Sequence, residues 1–182
     1  AVAVDYATSA GTFRVSPKSF FQVNRFLIDP LVDAAVGGQG GEVALDLYAG
    51  AGLFALPLAK RFKKVIGVEG GSAAAHDLRF NAERAGVAVD AVYSRVEDFL
   101  ASFDGTADFV LADPPRAGLG PRVLQQLKRI APQRLTIVSC DPATLARDLA
   151  ELSEYRIEAL SMFDLFPQTY HLETVARLVR QG

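Results

Sequence analysis

From Glu42 onward, short apolar segments alternate with amphipathic ones, and this alternation constrains the fold more than any other feature of the chain. The apolar segments predict seven strands: Val43–Leu47, Lys64–Val68, Ala88–Tyr93, Phe109–Ala112, Leu135–Ser139, Ile157–Phe163 and Glu173–Val179. The amphipathic segments predict four helices: Gly52–Arg61, Ser72–Ala85, Pro121–Ile130 and Pro142–Leu152. Alternating strands and helices form a parallel sheet covered on both faces, so the fold class is α/β. The last two strands have no helix between them and predict a closing hairpin with one antiparallel strand.

The first 41 residues follow a different pattern. Ala1–Tyr6 and Thr12–Val15 predict two short strands, and Asn24–Val36 predicts a helix interrupted near Pro30. We therefore divide the chain into a lead-in segment, residues 1–41, and a catalytic domain, residues 42–182. Because the chain begins with Ala1 and not with Met, we expect it to be a piece of a longer protein.

The composition limits the classes of partner. The net charge of −2 argues against a broad basic face. A nucleic-acid partner would therefore be held by a local patch or by protein outside this chain. The apolar segments are too short to span a membrane, so no membrane association is expected. A single cysteine cannot form an internal disulfide, which fits a cytoplasmic location.

A glycine-containing turn, Asp46-Leu47-Tyr48-Ala49-Gly50-Ala51-Gly52, follows the first strand of the parallel series. Gly50 and Gly52 allow a sharp turn and a close approach of the backbone to a ligand. Glu69 ends the next strand, where an acid can accept hydrogen bonds from both ribose hydroxyls of an adenosine. These features alone fit either NAD or S-adenosylmethionine, because both contain an adenosine.

Candidate catalytic residues follow the later strands, at the sheet edge where ligands bind in open α/β folds. The prolines of Asp113-Pro114-Pro115-Arg116 stiffen a loop that presents Asp113 and Arg116. In Ser139-Cys140-Asp141-Pro142, Asp141 is a good helix N-cap, which places Cys140 just before a helix N-terminus. That position favours the thiolate, whereas the adjacent Asp141 charge opposes it. The last connection carries two candidate acid/base groups, His171 and Glu173.

Taken together, these segments resemble the RNA (uracil-5-)-methyltransferase family. The resemblance runs in order through Phe20–Asn24, Leu45–Ala59, Val65–Glu69, Asp113–Gly118, Val138–Asp148 and Phe163–Glu173, and it covers about nine-tenths of the chain. It implies a Rossmann-like class I methyltransferase fold with a seven-stranded, mostly parallel sheet and a C-terminal antiparallel hairpin. It also implies S-adenosylmethionine as the cofactor, no metal, and methylation of C5 of a uridine in RNA.

The resemblance assigns roles to individual residues. Gln22, Tyr48, Glu69 and Asp113 would contact the cofactor together with the glycine turn. Cys140 would be the nucleophile that adds to C6 of the uracil, Glu173 the base that removes the C5 proton, and Arg116 would lie near the target base. Tyr48, Phe21, Phe166 and Tyr170 are candidates for stacking on that base.

This sequence departs from the family's pattern at two positions. Leu53 stands where several relatives carry a polar residue, and Asp141 stands where Asn is frequent. Family members usually carry an RNA-binding domain that is absent from this chain. Val138–Asp148 and Val65–Gly70 are closer to the ribosomal-RNA branch than to the transfer-RNA branch.

Three other functions stay open at this point: an NAD-dependent oxidoreductase, an amino-directed nucleic-acid methyltransferase, and a module that binds cofactor or RNA without catalysis. The first leaves Asp113–Arg116 and Cys140 unexplained. The second usually has an aromatic residue after the paired prolines, where this chain has Arg116.

Overall fold

A computed structural model describes residues 2–22, 24, 26–165 and 172–182 of the chain. Its strands are β1 Val4–Thr8, β2 Gly11–Val15, β3 Gly41–Leu47, β4 Phe62–Glu69, β5 Asp90–Tyr93, β6 Phe109–Ala112, β7 Arg134–Ser139, β8 Tyr155–Phe163 and β9 Glu173–Arg180. Its helices are α1 Ile28–Val36, α2 Ala55–Leu58, α3 Ser72–Ala85, α4 Val96–Ser102, α5 Gly120–Ile130 and α6 Pro142–Ala150.

The main sheet has seven strands in the order β5-β4-β3-β6-β7-β9-β8. Strands β5, β4, β3, β6 and β7 pair in parallel, whereas β9 pairs antiparallel with both β7 and β8. This confirms the predicted α/β class, the mostly parallel sheet and the C-terminal antiparallel hairpin. The carboxyl ends of the parallel strands and the beginning of β9 meet at one edge of the sheet.

Two apolar clusters cover the two faces of this sheet. One contains Phe13 of β2, Leu31 of α1 and Leu78 of α3, each fully buried. The other contains Leu100 of α4 and Leu127 of α5, packed against the opposite face. The β1–β2 hairpin and α1 thus share one core with the sheet, and the predicted division after residue 41 stays a prediction.

The helices differ from the sequence prediction by more than two residues in three places. Helix α4 was not predicted, because seven residues are too few for a helical period to emerge from the pattern. Helix α2 covers only Ala55–Leu58 of the predicted Gly52–Arg61, since the chain first makes a turn and then passes into β4 at Phe62. Helix α1 begins at Ile28, so that Pro30 lies in its first turn, where its missing N–H costs no hydrogen bond.

Within the described residues, no helix is both long enough and apolar enough to cross a lipid bilayer.

Candidate active site

A cavity of about 780 Å³ opens at the sheet edge where β3, β4, β6 and β7 end and β9 begins. Nine residues were assigned a cofactor-binding or catalytic role, and eight of them line this cavity: Gln22, Tyr48, Gly50, Glu69, Asp113, Arg116, Cys140 and Glu173. Its volume lies within the range of about 300–1,000 Å³ that is typical of small-molecule sites. The fold therefore brings the predicted cofactor residues and the predicted chemical residues into one space.

The turn after β3 forms the floor of the cavity. Gly50 has a φ of +55°, a left-handed conformation that glycine adopts without strain. Its N–H donates a hydrogen bond of 2.8 Å to Oε2 of Glu69, and the N–H of Gly71 donates one of 2.6 Å to Oε1. The carboxylate of Glu69 is thus fixed at the end of β4 from two sides. Tyr48 also has a positive φ, +62°, which is strained for a residue with a Cβ.

Gly52 is the ninth of these residues, and it is not among the described residues that line the cavity. Its φ is +100°, and a Cβ added there would lie 2.7 Å from methyl carbons of Leu56 and Leu78. The missing side chain of Gly52 lets α3 pack closely against the turn. Its predicted contact with a cofactor stays a prediction.

Residues 20–22 form a wall of the cavity next to this turn. Phe20 is exposed, whereas Phe21 and Gln22 are buried and still line the cavity. Oε1 of Gln22 has no hydrogen-bond partner among the described residues. A buried carbonyl oxygen without a partner is costly, so this atom is an acceptor available to a ligand in the cavity.

Two carboxyl groups on the other side of the cavity hold their protons unusually tightly. Burial raises the pKa of Glu173, the first residue of β9, to about 7. Asp113 follows β6 and keeps some contact with the cavity, but the surrounding protein raises its pKa well above the usual value, and Glu173 and Asp46 raise it further. A carboxyl group with a pKa near 7 can accept and release a proton at neutral pH.

Cys140 follows β7 and is partly buried. The expectation that its position favours the thiolate is wrong in this environment: burial raises the pKa of the Cys140 thiol, and the nearby Glu173 and Asp113 carboxylates raise it further. The Arg116 guanidinium acts in the opposite direction. The helix N-terminus is therefore outweighed by the loss of solvent and by the acids across the cavity.

Asp141 caps α6 as predicted, because its Oδ1 accepts a 2.8 Å hydrogen bond from the N–H of Thr144. That bond lowers the pKa of Asp141. Its Oδ2 lies 3.6 Å from Nε of Arg116, so this ion pair connects the loop after β6 with the loop after β7. Arg116 is thereby held beside Cys140, in agreement with its effect on the thiol.

Several lining residues escaped the sequence reasoning, among them Lys18, Phe54, Gly71 and Ala74. The Gly70-Gly71 pair after Glu69 was a usable signal, since a Cβ at Gly71 would lie 3.1 Å from Oε1 of Glu69. Phe166, Tyr170 and His171 lie outside the described residues. Among the described residues, no group of three or more His, Cys, Asp or Glu side chains could hold a metal ion.

Comparison with known proteins gives a consistent result. A family model described as tRNA (uracil-5-)-methyltransferase matches residues 5–181. An uncharacterized RNA methyltransferase of Thermotoga maritima is 41% identical over 174 residues, which is 92% of this chain and 40% of that protein. The tRNA (uracil(54)-C(5))-methyltransferase of Pyrococcus horikoshii is 40% identical over 167 residues, with the same coverage.

Solved structures support the same relationship. The Pyrococcus abyssi tRNA (uracil-54, C5)-methyltransferase in complex with S-adenosyl-L-homocysteine superimposes with a TM-score of 0.89 at 35% identity and covers 98% of this chain. Trm5b from the same organism has a TM-score of 0.74 at 15% identity, a likeness of fold alone. The chain spans about 40% of the length of the curated relatives and 45% of the first of these solved chains.

Proposed function

Because the chain belongs to the tRNA (uracil-5-)-methyltransferase family, we propose that it binds S-adenosylmethionine and transfers a methyl group to C5 of a uridine in RNA. The observation that carries this proposal is that one cavity holds Cys140 and Glu173 as well as Glu69 and the glycine turn. This reaction needs a sulfur nucleophile, a carboxyl group that titrates near neutral pH, and a binding site for the adenosine of the cofactor.

The residues present fit the proposed cofactor. Glu69 offers a carboxylate whose position is fixed by two backbone N–H groups, as an acceptor for the ribose hydroxyls requires. Oε1 of Gln22, which has no partner in the part of the chain that the structure describes, could accept a hydrogen bond from the ligand, and Asp113 adds a carboxyl group to the same cavity. Tyr48 and Phe21 supply flat apolar surface. When bound, S-adenosylmethionine supplies an electrophilic methyl group.

Cys140 makes C5 of the uracil reactive. C5 is a poor nucleophile, but addition of the Cys140 sulfur to C6 moves the electrons of the C5–C6 double bond toward C5 and O4. Because the pKa of the thiol is raised, formation of the thiolate needs help at neutral pH. Arg116 stabilises the thiolate electrostatically, and its ion pair with Asp141 holds it in place.

Glu173 completes the reaction. After C5 has gained its methyl group, C5 still carries a proton, which the carboxylate of Glu173 accepts. The electrons of that C–H bond restore the C5–C6 double bond, and the sulfur of Cys140 leaves C6. The raised pKa makes Glu173 a stronger base than an ordinary carboxylate, and about half of it is ionised near pH 7.

The nature of the RNA belongs to the same proposal. The ribosomal-RNA preference inferred from the sequence stays a prediction, whereas the two relatives from Pyrococcus are described as enzymes of uracil 54 in tRNA. Both substrates therefore belong in the test. The net charge of −2 suggests that RNA-binding protein outside this chain assists, since the curated relatives are longer. A cytoplasmic location also stays a prediction.

The experiment measures methyl transfer from labelled S-adenosylmethionine to unmodified tRNA and to ribosomal RNA, in parallel. We expect 5-methyluridine in the digested product, and a transfer to any base nitrogen would contradict the proposal. Thermal-shift assays with S-adenosylhomocysteine and with NAD as a control test the cofactor separately, because a ligand that binds only the folded state stabilises it.

Cys140→Ala should abolish methylation and leave the binding of S-adenosylhomocysteine intact, since the sulfur acts on the base and not on the cofactor. Retained turnover would refute the assignment of Cys140 as the nucleophile.

Glu173→Gln should allow Cys140 to add to the uracil and should prevent proton removal from C5. A covalent protein–RNA complex should therefore accumulate on denaturing gels, and Glu173→Gln combined with Cys140→Ala is the matched control. If the single variant forms no complex, Glu173 has a different role.

A further inference from the structure

Two buried polar side chains of helix α3 form hydrogen bonds to residues 14–19, which precede the main sheet. Asp77 and Asn81 are one helical turn apart, and both are fully buried. A buried carboxylate or amide is costly unless its hydrogen bonds are made, so their partners reveal what these residues do.

Asp77 fixes the chain just before the cavity wall. Its carboxylate accepts three hydrogen bonds of 2.7 Å, from the N–H and the hydroxyl of Ser16 and from the hydroxyl of Ser19. Nε of Arg14 lies 3.8 Å from the same carboxylate. Ser19 directly precedes residues 20–22, so the position of the wall that carries Gln22 depends on this anchor.

Asn81 connects Arg14 of strand β2 with Ala51 of the glycine turn. Its Oδ1 accepts a 2.7 Å hydrogen bond from the N–H of Arg14, and its Nδ2 donates to the carbonyl of Arg14 at 2.9 Å. The same Nδ2 donates to the carbonyl of Ala51 at 2.9 Å. Ala51 lies between Gly50 and Gly52, so one amide group ties strand β2 to the floor of the cavity.

The wall of residues 20–22 and the glycine turn also approach each other directly, since a Cβ on Gly50 would lie 3.9 Å from the carbonyl oxygen of Phe20. We infer that Asp77 and Asn81 are positioning residues of the cofactor site, which hold the wall of residues 20–22 and the glycine turn at the separation the ligand requires. This inference rests on the proposed function. Walls fixed in advance need no ordering when the ligand binds, so the protein binds more tightly than one with loose walls.

Asn81→Asp tests this role, because it keeps the shape and the acceptor oxygen but replaces the Nδ2 donor to the carbonyls of Arg14 and Ala51 with a second oxygen. We expect S-adenosylhomocysteine to bind about 10-fold more weakly by calorimetry, as the loss of hydrogen bonds from one amide implies. The KM for S-adenosylmethionine should rise while kcat changes little. In the unliganded protein, amide hydrogen exchange of residues 48–54 should become faster.

Asp5→Ala is the matched control. Asp5 is exposed and accepts a 3.1 Å hydrogen bond from Arg84, which anchors the same hairpin to the same helix without reaching the cavity. This variant should bind S-adenosylhomocysteine as the wild type does, and exchange of residues 48–54 should not change.

Ser19→Ala is a milder variant that decides the question if Asn81→Asp does not fold. It removes one of the three hydrogen bonds to Asp77 and should weaken S-adenosylhomocysteine binding about threefold, at unchanged kcat. If the wild type binds S-adenosylhomocysteine and the variants that fold bind it equally well, with unchanged exchange at residues 48–54, the inference is overturned and the proposed function stands. If the wild type does not bind it at all, both are overturned.

Discussion

Replacing Glu173 with Gln should change how the stability of the protein depends on pH. Glu173 is 4% exposed, and burial raises its pKa from the ordinary 4.5 to about 7. Gln has nearly the same shape and carries no charge at any pH. The substitution therefore removes one titration and leaves most of the packing in place.

The size of the effect follows from the two pKa values of the glutamate. In the unfolded chain Glu173 releases its proton near pH 4.5, whereas in the folded protein it keeps the proton until about pH 7. Between these values the folded state binds more protons, so the free energy of unfolding falls as the pH rises. At about 1.4 kcal/mol per pH unit, the wild type loses about 3 kcal/mol that the Gln variant keeps.

Asp113 increases the difference in the free energy of unfolding between the Gln variant and the wild type still further. The charge of Glu173 contributes to its raised pKa, so removing that charge allows Asp113 to ionise at lower cost. The difference in the free energy of unfolding between variant and wild type should therefore grow as the pH rises from 4.5 to about 7.

Urea unfolding followed by circular dichroism, at several values across this pH range, measures the difference. Glu83→Gln is the control, because Glu83 lies exposed on α3 and its substitution should give a curve parallel to that of the wild type. If Glu173→Gln also runs parallel to the wild type, burial does not hold the proton on Glu173. Glu173 would then have no physical reason to act as a base that titrates near pH 7.

Two further predictions concern the cofactor side of the cavity. Glu69→Gln should weaken S-adenosylhomocysteine binding by about 1–3 kcal/mol, and an unchanged affinity by calorimetry would mean that the ribose is held elsewhere. Gly52→Ala should lower the free energy of unfolding by about 1–3 kcal/mol, because its Cβ would crowd Leu56 and Leu78 at a positive φ. Gly86→Ala shares the positive φ but has open space around the Cβ, so thermal unfolding should show a smaller loss; equal losses would contradict the role of packing.

The strands of the sheet were predictable because each combines an apolar segment with a turn signal. The same pattern predicted which residues would lie together at the cavity, since residues that follow parallel strands meet at one edge of the sheet. Helix α4 was not predictable in this way, because its short apolar face of Val96 and Leu100 fits several local structures equally well.

The electrostatics of the cavity and its N-terminal wall could not be read from local sequence. The position of Cys140 before a helix suggested a lowered pKa, but burial and Glu173, which comes from a distant strand, reverse the sign. Asp77 and Asn81 have the spacing of a solvated helix face, and their partners Arg14, Ser16, Ser19 and Ala51 lie 30 to 67 residues away along the chain. Their burial follows from tertiary packing, which the sequence pattern does not encode locally.

The antiparallel direction of β9 has a consequence for how the carboxyl group of Glu173 is placed in the cavity. Glu173 is the first residue of β9, and its neighbour Thr174 pairs with Ser139, the last residue of β7. Successive side chains of a strand point to opposite faces, so a slip of one position along this ladder would exchange a carboxylate for a hydroxyl. The pairing of β9 with β7 therefore decides which side chain of β9 faces Cys140.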